Sequence, residues 1–324
     1  MEKLIEIKNL SKHFPIKKGF FNKTVGNIYA VNNISFDIYK GETLGLVGES
    51  GCGKSTTGRC VLKLINATEG QIIFKGKDIS NIKAKELKDI RSKMQIIFQN
   101  PQSSLNPRMT VKDTLSEPLI INTKLSKQEI TKRIDELVEL VGLSKGCLNN
   151  FPHEFSGGQR QRIGIARALA INPEFIVADE PVSALDVSIQ AQIINLLEDL
   201  KQELKLTYLF ISHDLSVVRH FCDRVAVMYL GEIAEIATTD QLFNDPCHPY
   251  TKALLSAIPE PKPGKDHSQR VLLAGDLPSP ANPPSGCKFN TRCPEVMPVC
   301  KTTCPPEFVV EHGHTVCCHL FSKQ

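Results

Sequence analysis

The chain has 324 residues, 41% of them apolar, enough for one large domain or two smaller ones around a buried core. Its net charge of +4, from 39 basic and 35 acidic side chains, is too mild to argue for a nucleic-acid partner. No apolar run approaches the ~20 residues of a membrane span, and Met1-Glu2-Lys3-Leu4 lacks the apolar stretch of a signal peptide, so a soluble cytoplasmic protein is expected.

In chain order, residues 4–7 read as a first strand. Residues 11–26 are basic and aromatic, with Lys12, Phe14, Lys17, Lys18, Phe20, Phe21 and Lys23. Residues 31–38 alternate apolar and polar like an antiparallel strand. Thr43 to Val47 is a short buried strand, and 57–65 reads as a helix. Between them, Gly48-Glu49-Ser50-Gly51-Cys52-Gly53-Lys54-Ser55-Thr56 fits the phosphate-loop pattern G-x-x-x-x-G-K-[ST]. Glycines there let backbone N–H groups turn inward around a polyphosphate, and the helix N-terminus adds its positive end. Lys54 is placed to reach the β and γ phosphates, and the Ser55 hydroxyl to bind Mg²⁺.

Residues 70–76 form another short strand bounded by glycines. The apolar strand 94–98 stops at Gln99-Asn100-Pro101. A helical pattern runs from 111 to 141, Phe155-Ser156-Gly157-Gly158-Gln159 interrupts, and 160–169 is a basic helix. The strand 175–178 ends in Asp179-Glu180-Pro181, 189–200 is helical, and the strand 208–211 ends in Ser212-His213-Asp214. Arg224 to Tyr229 reads as the last strand of this set. Strands alternating with helices predict an α/β fold with a mainly parallel sheet, and the early alternating strands an antiparallel addition. A second region begins near Thr238, with a stiff linker-like stretch at 259–265 and prolines and cysteines beyond it.

The later motifs say what the phosphate loop serves. Asp179 and Glu180 end an apolar strand, the place where open α/β sheets bind ligands. Asp179 is read as holding the Mg²⁺ water shell and Glu180 as polarising the attacking water. Ser156, Gly157, Gly158 and Gln159 open a helix and make a second anion site. One nucleotide needs one cradle per chain, so the second is expected to serve another chain's nucleotide.

Taken together these motifs resemble the ATP-binding subunit of ABC transporters. Gly48 to Thr56 matches Walker A, Gln99 the Q-loop, and Phe155 to Gln159 the signature motif, with Phe155 where Leu is more usual. Asp179 and Glu180 match Walker B with its catalytic glutamate, Ser183-Ala184-Leu185-Asp186 the D-loop, and His213 the switch histidine. The resemblance implies an ABC-type P-loop ATPase domain over 1–237. Its helical subdomain, about 100–170, would receive a transmembrane partner's coupling helix. A small Cys/Pro-rich extension follows over 238–324. It implies ATP sandwiched between Walker A of one subunit and the signature motif of its partner. Gln99 then senses Mg²⁺ and the membrane subunit, His213 holds the γ-phosphate and the attacking water, and Asp186 signals across the dimer. Phe14 is the candidate for stacking on adenine, with Phe20, Phe21 and Tyr29 as competitors. No hydrolytic position is degenerate, so a working catalytic half-site is expected.

Phe98-Gln99-Asn100-Pro101 and Pro246-Cys247-His248-Pro249-Tyr250-Thr251 resemble the oligopeptide and dipeptide importers more narrowly. That resemblance implies an ATPase at the cytoplasmic face of a bacterial membrane. It would pair with a homologous ATPase and two permeases, and an external binding protein would deliver the peptide. Nickel or another small solute is the alternative cargo. A soluble ABC ATPase of the ribosome or DNA is a second alternative, which would usually carry two ATPase halves or a long coiled-coil insertion.

Of eleven cysteines, Cys287, Cys293, Cys300, Cys304, Cys317 and Cys318 crowd the C-terminal tail. In a reducing compartment, clustered cysteines point to metal or redox chemistry. The spacing Cys287-x5-Cys293-x6-Cys300-x17-Cys318 suits zinc or an iron–sulfur cluster and lacks the C-x2-C knuckles of structural zinc. The tail resembles the cysteine-bearing C-terminal segment of peptide-importer ATPases, which implies a [4Fe–4S] cluster, with zinc as runner-up. Cys318 matches the family's final cysteine better than Cys317 because His319 and Leu320 follow it, and Cys304 and Cys317 are extra.

Overall fold

The computed structural model describes residues 2–19, 22–258 and 275–322. Phe20, Phe21 and the stretch at 259–265 lie outside the described residues.

The chain opens with β1 (Lys3–Lys18), β2 (Lys23–Tyr39), β3 (Thr43–Val47), α1 (Lys54–Val61), β4 (Glu69–Phe74) and β5 (Lys77–Asp78). Next come α2 (Ala84–Lys93), β6 (Met94–Ile97), α3 (Pro101–Ser104), α4 (Val111–Asn122), α5 (Lys127–Leu140) and α6 (Gly157–Leu169). Then follow β7 (Phe175–Asp179), α7 (Val187–Leu204), β8 (Thr207–Ser212), α8 (Leu215–Phe221), β9 (Arg224–Tyr229) and β10 (Glu232–Thr238). The tail adds α9 (Thr239–Asn244), α10 (Pro249–Ser256), β11 (Phe308–Glu311) and β12 (His314–Val316). Two compact units result: Met1–Tyr39, Thr43–Ser80 and Ser212–Gln324 form one, and Lys40–Glu42 with Asn81–Ile211 the other.

The first unit holds an antiparallel sheet in the order β2-β1-β4-β5. The pairing of β1 with β2 runs from Lys3 opposite Tyr39 to Lys18 opposite Lys23. The basic stretch that carried no strand pattern is therefore the outer half of a long hairpin. Its side chains are mostly exposed, so no apolar face was there to produce alternation. The same unit pairs β3 with β9 in parallel, Leu44 opposite Arg224 and Val47 opposite Val227. All five residues of β3 are buried, the mark of a strand covered on both faces.

Arg224–Tyr229 is not the last strand. The chain turns at Leu230 and Gly231, both with positive φ, and returns as β10 antiparallel to β9. The tail hairpin of β11 and β12 then adds to β10, with Glu235 opposite Val316. The cysteine-rich tail thus belongs to the same compact unit as the phosphate loop.

In the second unit β6, β7 and β8 pair in parallel, Met94 opposite Phe175 and Phe175 opposite Thr207. The helical run expected over 111–141 is two helices. Capping boxes at Thr110/Asp113 and Ser126/Glu129 start each one, and the Ser126-x-x-Glu129 signature is readable in the sequence. In α7, Ile193, Ile194, Leu197 and Leu200 are buried at three- and four-residue spacing, an amphipathic face. Among the described residues no helix is long and apolar enough to cross a membrane.

Candidate active site

The phosphate loop joins β3 to α1 in the first unit. Gly53 caps α1 with φ 109°, and a Cβ there would sit 2.0 Å from the Ala30 carbonyl oxygen, so only glycine fits. The Lys54 side chain is buried, and its Nζ donates to the Gly48 carbonyl at 2.8 Å and the Glu49 carbonyl at 3.0 Å. The ammonium is held inside the curl of the loop before any phosphate arrives. Thr57 Oγ1 donates to the Gly53 carbonyl at 3.1 Å and closes the first helical turn. The Cys52 thiol faces the interior, and burial pushes it up in pKa, which leaves it an inert packing group. Ser50, Gly51, Ser55 and Thr56 complete the loop and the start of α1.

Two residues of the tail side of this unit grip the loop. The Tyr250 hydroxyl accepts the Glu49 backbone N–H at 3.0 Å. Arg292 Nη1 donates to both Glu49 carboxylate oxygens, at 3.1 and 2.8 Å. In the sequence the Tyr250 motif carries only a family resemblance, and Arg292 carries no signal of its own. The contacts span 201 and 243 residues, beyond any local pattern.

In the second unit, β7 ends in Asp179, which is 3% exposed and pairs with Ile211. Glu180 follows with φ 47°, a left-handed backbone uncommon for a non-glycine residue. Its N–H donates to the Ile211 carbonyl at 3.0 Å, which anchors the turn that aims its side chain. The Glu180 carboxylate accepts 2.7 Å from the Gln99 amide. Two residues singled out from distant motifs are thus brought together. Gln190 Nε2 donates at 3.0 Å to both Val182 and Leu185 carbonyls and fixes the turn that leads to Asp186, the exposed N-cap of α7.

The signature residues start α6. Ser156 is the N-cap, its hydroxyl accepting from the Gln159 N–H at 3.3 Å while Gln159 Oε1 accepts the Ser156 N–H at 3.0 Å. Gly157 and Gly158 form the first turn against α7, where a Cβ on Gly158 would lie 2.5 Å from Ile189 Cγ2. The capping box thus fixes the helix end, and the two glycines leave its first two positions without side chains.

His213 lies in the first unit, exposed where the chain leaves β8, and Asp214 caps α8 just after it. Phe14 stands on β1, 38% exposed, with the Lys12 ammonium 4.9 Å from its ring centre. Tyr29 instead packs edge-on against His13 at 4.7 Å.

The tail carries the thiols. Cys287, Cys293, Cys300 and Cys318 gather in the first unit, with the Cys287 N–H donating to the Cys300 carbonyl at 2.8 Å. Burial pushes the thiols of Cys287, Cys293 and Cys318 up to about 11, and the charge of neighbouring thiols pushes the same way. Cys304 donates to the Gly286 carbonyl at 3.1 Å, and the Cys317 N–H donates to the Ala234 carbonyl at 2.8 Å.

A separate group, Glu235, Cys247 and His314, is buried in the same unit with its ligand atoms within 4.8 Å of one another. Here the Glu235 carboxylate is already engaged: Oε1 takes the Cys247 N–H and His314 Nε2, both at 2.7 Å, and Oε2 the His248 N–H at 2.9 Å. It is an anchor for α10 and the tail hairpin, with its lone pairs spent on the protein.

A family described as "ABC transporter" matches residues 31–183, and "Oligopeptide/dipeptide transporter, C-terminal region" matches residues 234–300. A solved dimer of an ATP-binding cassette in a post-hydrolysis state, bound to ADP and Pi, is similar with a TM-score of 0.65 and 32% identity. The match covers 73% of this chain and 99% of that one. Fold and motifs define an ATP-binding cassette of the ABC class. The oligopeptide transport ATP-binding protein AppF of Bacillus subtilis (strain 168) is 54% identical over 99% of this chain and 98% of its own. OppF of Salmonella typhimurium, an oligopeptide transport ATP-binding protein, is 52% identical over 93% of this chain and 92% of its own. The chain belongs to the ABC family of oligopeptide transport ATP-binding proteins.

Proposed function

We propose that this chain hydrolyses ATP to energise import of oligopeptides or dipeptides across a bacterial cytoplasmic membrane. The observation that carries the reading is the Gln99–Glu180 hydrogen bond at the end of β7, directly after the buried Asp179. It places a carboxylate and an amide together where an open α/β sheet works on its ligand. Glu180 is the base that takes a proton from water, and His213 orients that water against the γ-phosphate. Lys54 and the amides of residues 48 to 56 hold the phosphates, and Phe14 stacks on adenine. Ser55, Gln99 and Asp179 would hold Mg²⁺, which neutralises phosphate charge when bound. Ser156, Gly157, Gly158 and Gln159 receive the nucleotide of a homologous ATPase, and Asp186 faces that partner.

The cassette is residues 1–237, with a helical part at about 100–170 for the permeases, and 238–324 is the extension. Two permeases and an external peptide-binding protein complete the transporter, with this chain on the cytoplasmic face. Support comes from the names and near-full coverage of the relatives. The test is growth of an amino-acid auxotroph on oligopeptides as sole source. Deleting this chain should abolish growth, wild type should restore it, and Glu180→Gln should not. Undiminished growth of the deletion strain would exclude the peptide cargo.

Cys287, Cys293, Cys300 and Cys318 fit a metal centre. Four cysteine thiolates are a donor set that both zinc and iron–sulfur centres use. The tail's resemblance to the cysteine-bearing segment of peptide-importer ATPases favours a [4Fe–4S] cluster over zinc. Such a centre would clip the tail together. Anaerobic purification should yield iron and sulfide at about four each per chain, lost on Cys293→Ser. Zinc at about one per chain would replace the cluster with a structural clip, and no metal would leave free thiols.

A further inference from the structure

Glu49 is the second residue of the phosphate loop, and a carboxylate there is chemically awkward. ATP brings several negative charges to this loop, and a free carboxylate beside them repels it. The structure answers the charge from far away in sequence. Arg292 Nη1 donates to both Glu49 oxygens, at 3.1 and 2.8 Å, across 243 residues. The Arg292 side chain is only 9% exposed and that of Glu49 25%, so solvent screens this pair less than a surface ion pair.

The surroundings hold the guanidinium in place. It lies 6.0 Å from the centre of the Tyr229 ring, within cation–π range. Tyr229 packs edge-on against Tyr250 at 4.7 Å and against Phe289 at 5.2 Å. Tyr250, itself fully buried, takes the Glu49 N–H with its hydroxyl. Both ends of Glu49, amide and carboxylate, are therefore fixed by residues beyond the cassette motifs.

We propose that Arg292 is a positioning residue for ATP binding, which neutralises Glu49 and turns its carboxylate out of the way of the polyphosphate. The tail thereby completes the nucleotide site of its own chain. This rests on the ATP-binding reading and on no occupant of the thiol site.

The test is equilibrium binding of ATP to the full chain, by calorimetry, for wild type and four variants. The Glu49–Arg292 pair carries a net charge of zero in wild type, and the substitutions step it. Arg292→Gln leaves Glu49 unopposed and should weaken ATP binding ~10-fold. Glu49→Gln leaves Arg292 unopposed and should tighten it ~3-fold or more. The Glu49→Gln/Arg292→Gln double variant should return to within ~3-fold of wild type, a rescue that a purely structural loss cannot give. Arg292→Lys keeps the charge and should also stay within ~3-fold. Wild-type affinity in Arg292→Gln, or a double variant as weak as Arg292→Gln, would overturn the proposal. Should Arg292→Gln not fold, Glu49→Gln alone decides, because weaker or unchanged binding contradicts it. Failure of wild type to bind ATP would instead sink the nucleotide-site reading itself.

Discussion

The Gln99 amide donates 2.7 Å to the Glu180 carboxylate, so the proposed base is held by a residue 81 positions earlier. A carboxylate in this grip is pre-aimed, and its left-handed backbone persists because the Ile211 carbonyl anchors it. Glu180→Gln keeps shape and most hydrogen bonding but removes the proton acceptor. Phosphate release by the assembled complex should fall roughly 10²–10⁴-fold, with ATP binding retained. Unchanged turnover would remove Glu180 from the base role.

Lys54 is a buried ammonium that donates to two carbonyls of its own loop. Phosphate oxygens are stronger acceptors than carbonyls, so the side chain is poised to trade or share them. Lys54→Ala should weaken ATP binding by roughly 10–100-fold, the worth of a charged hydrogen bond or two. Nucleotide titration of the variant checks it.

Gly158 packs against Ile189 with no room for a methyl group. Gly158→Ala should destabilise the chain by about 1–3 kcal/mol, the usual range for overpacking. Adding Ile189→Ala should recover part of that loss in urea unfolding, because it removes the Cγ2 atom in the way. A double variant no more stable than Gly158→Ala would place the strain elsewhere.

His248 caps α10, with Nδ1 accepting the Tyr250 N–H at 3.0 Å, and burial lowers its pKa to about 4. The unfolded chain then binds a proton at higher pH than the folded one. The resulting stability is fully present above about 6.5 and is lost as pH falls from there to about 4. The loss should be about 3 kcal/mol across that window. His248→Asn, which can still cap but does not titrate, should flatten the melting temperature between pH 7 and 4. Equal slopes for both proteins would show that His248 is not the titrating group.

Much of this was readable without coordinates because the site is built from local signals. The phosphate loop, the Asp179-Glu180 strand end and the Ser156 capping box each lie within nine residues or fewer, where spacing carries the chemistry. The buried parallel strands were legible as continuous apolar runs for the same reason. What escaped was non-local or exposed. The outer hairpin of β1 and β2 buries too little to pattern its sequence, and β12 is a three-residue strand defined by its pairing with β10 and β11. The role of Arg292 is equally hidden, since nothing near it in sequence names Glu49.

The most direct test is transport itself. This chain would be reconstituted with its partner ATPase, permeases and binding protein in liposomes, with ATP on the cytoplasmic side. Labelled peptide and nickel would be offered in parallel. The account predicts ATP-dependent peptide accumulation and phosphate release, both abolished by Glu180→Gln. Peptide uptake that persists in Glu180→Gln, or nickel accumulation without peptide, would contradict it.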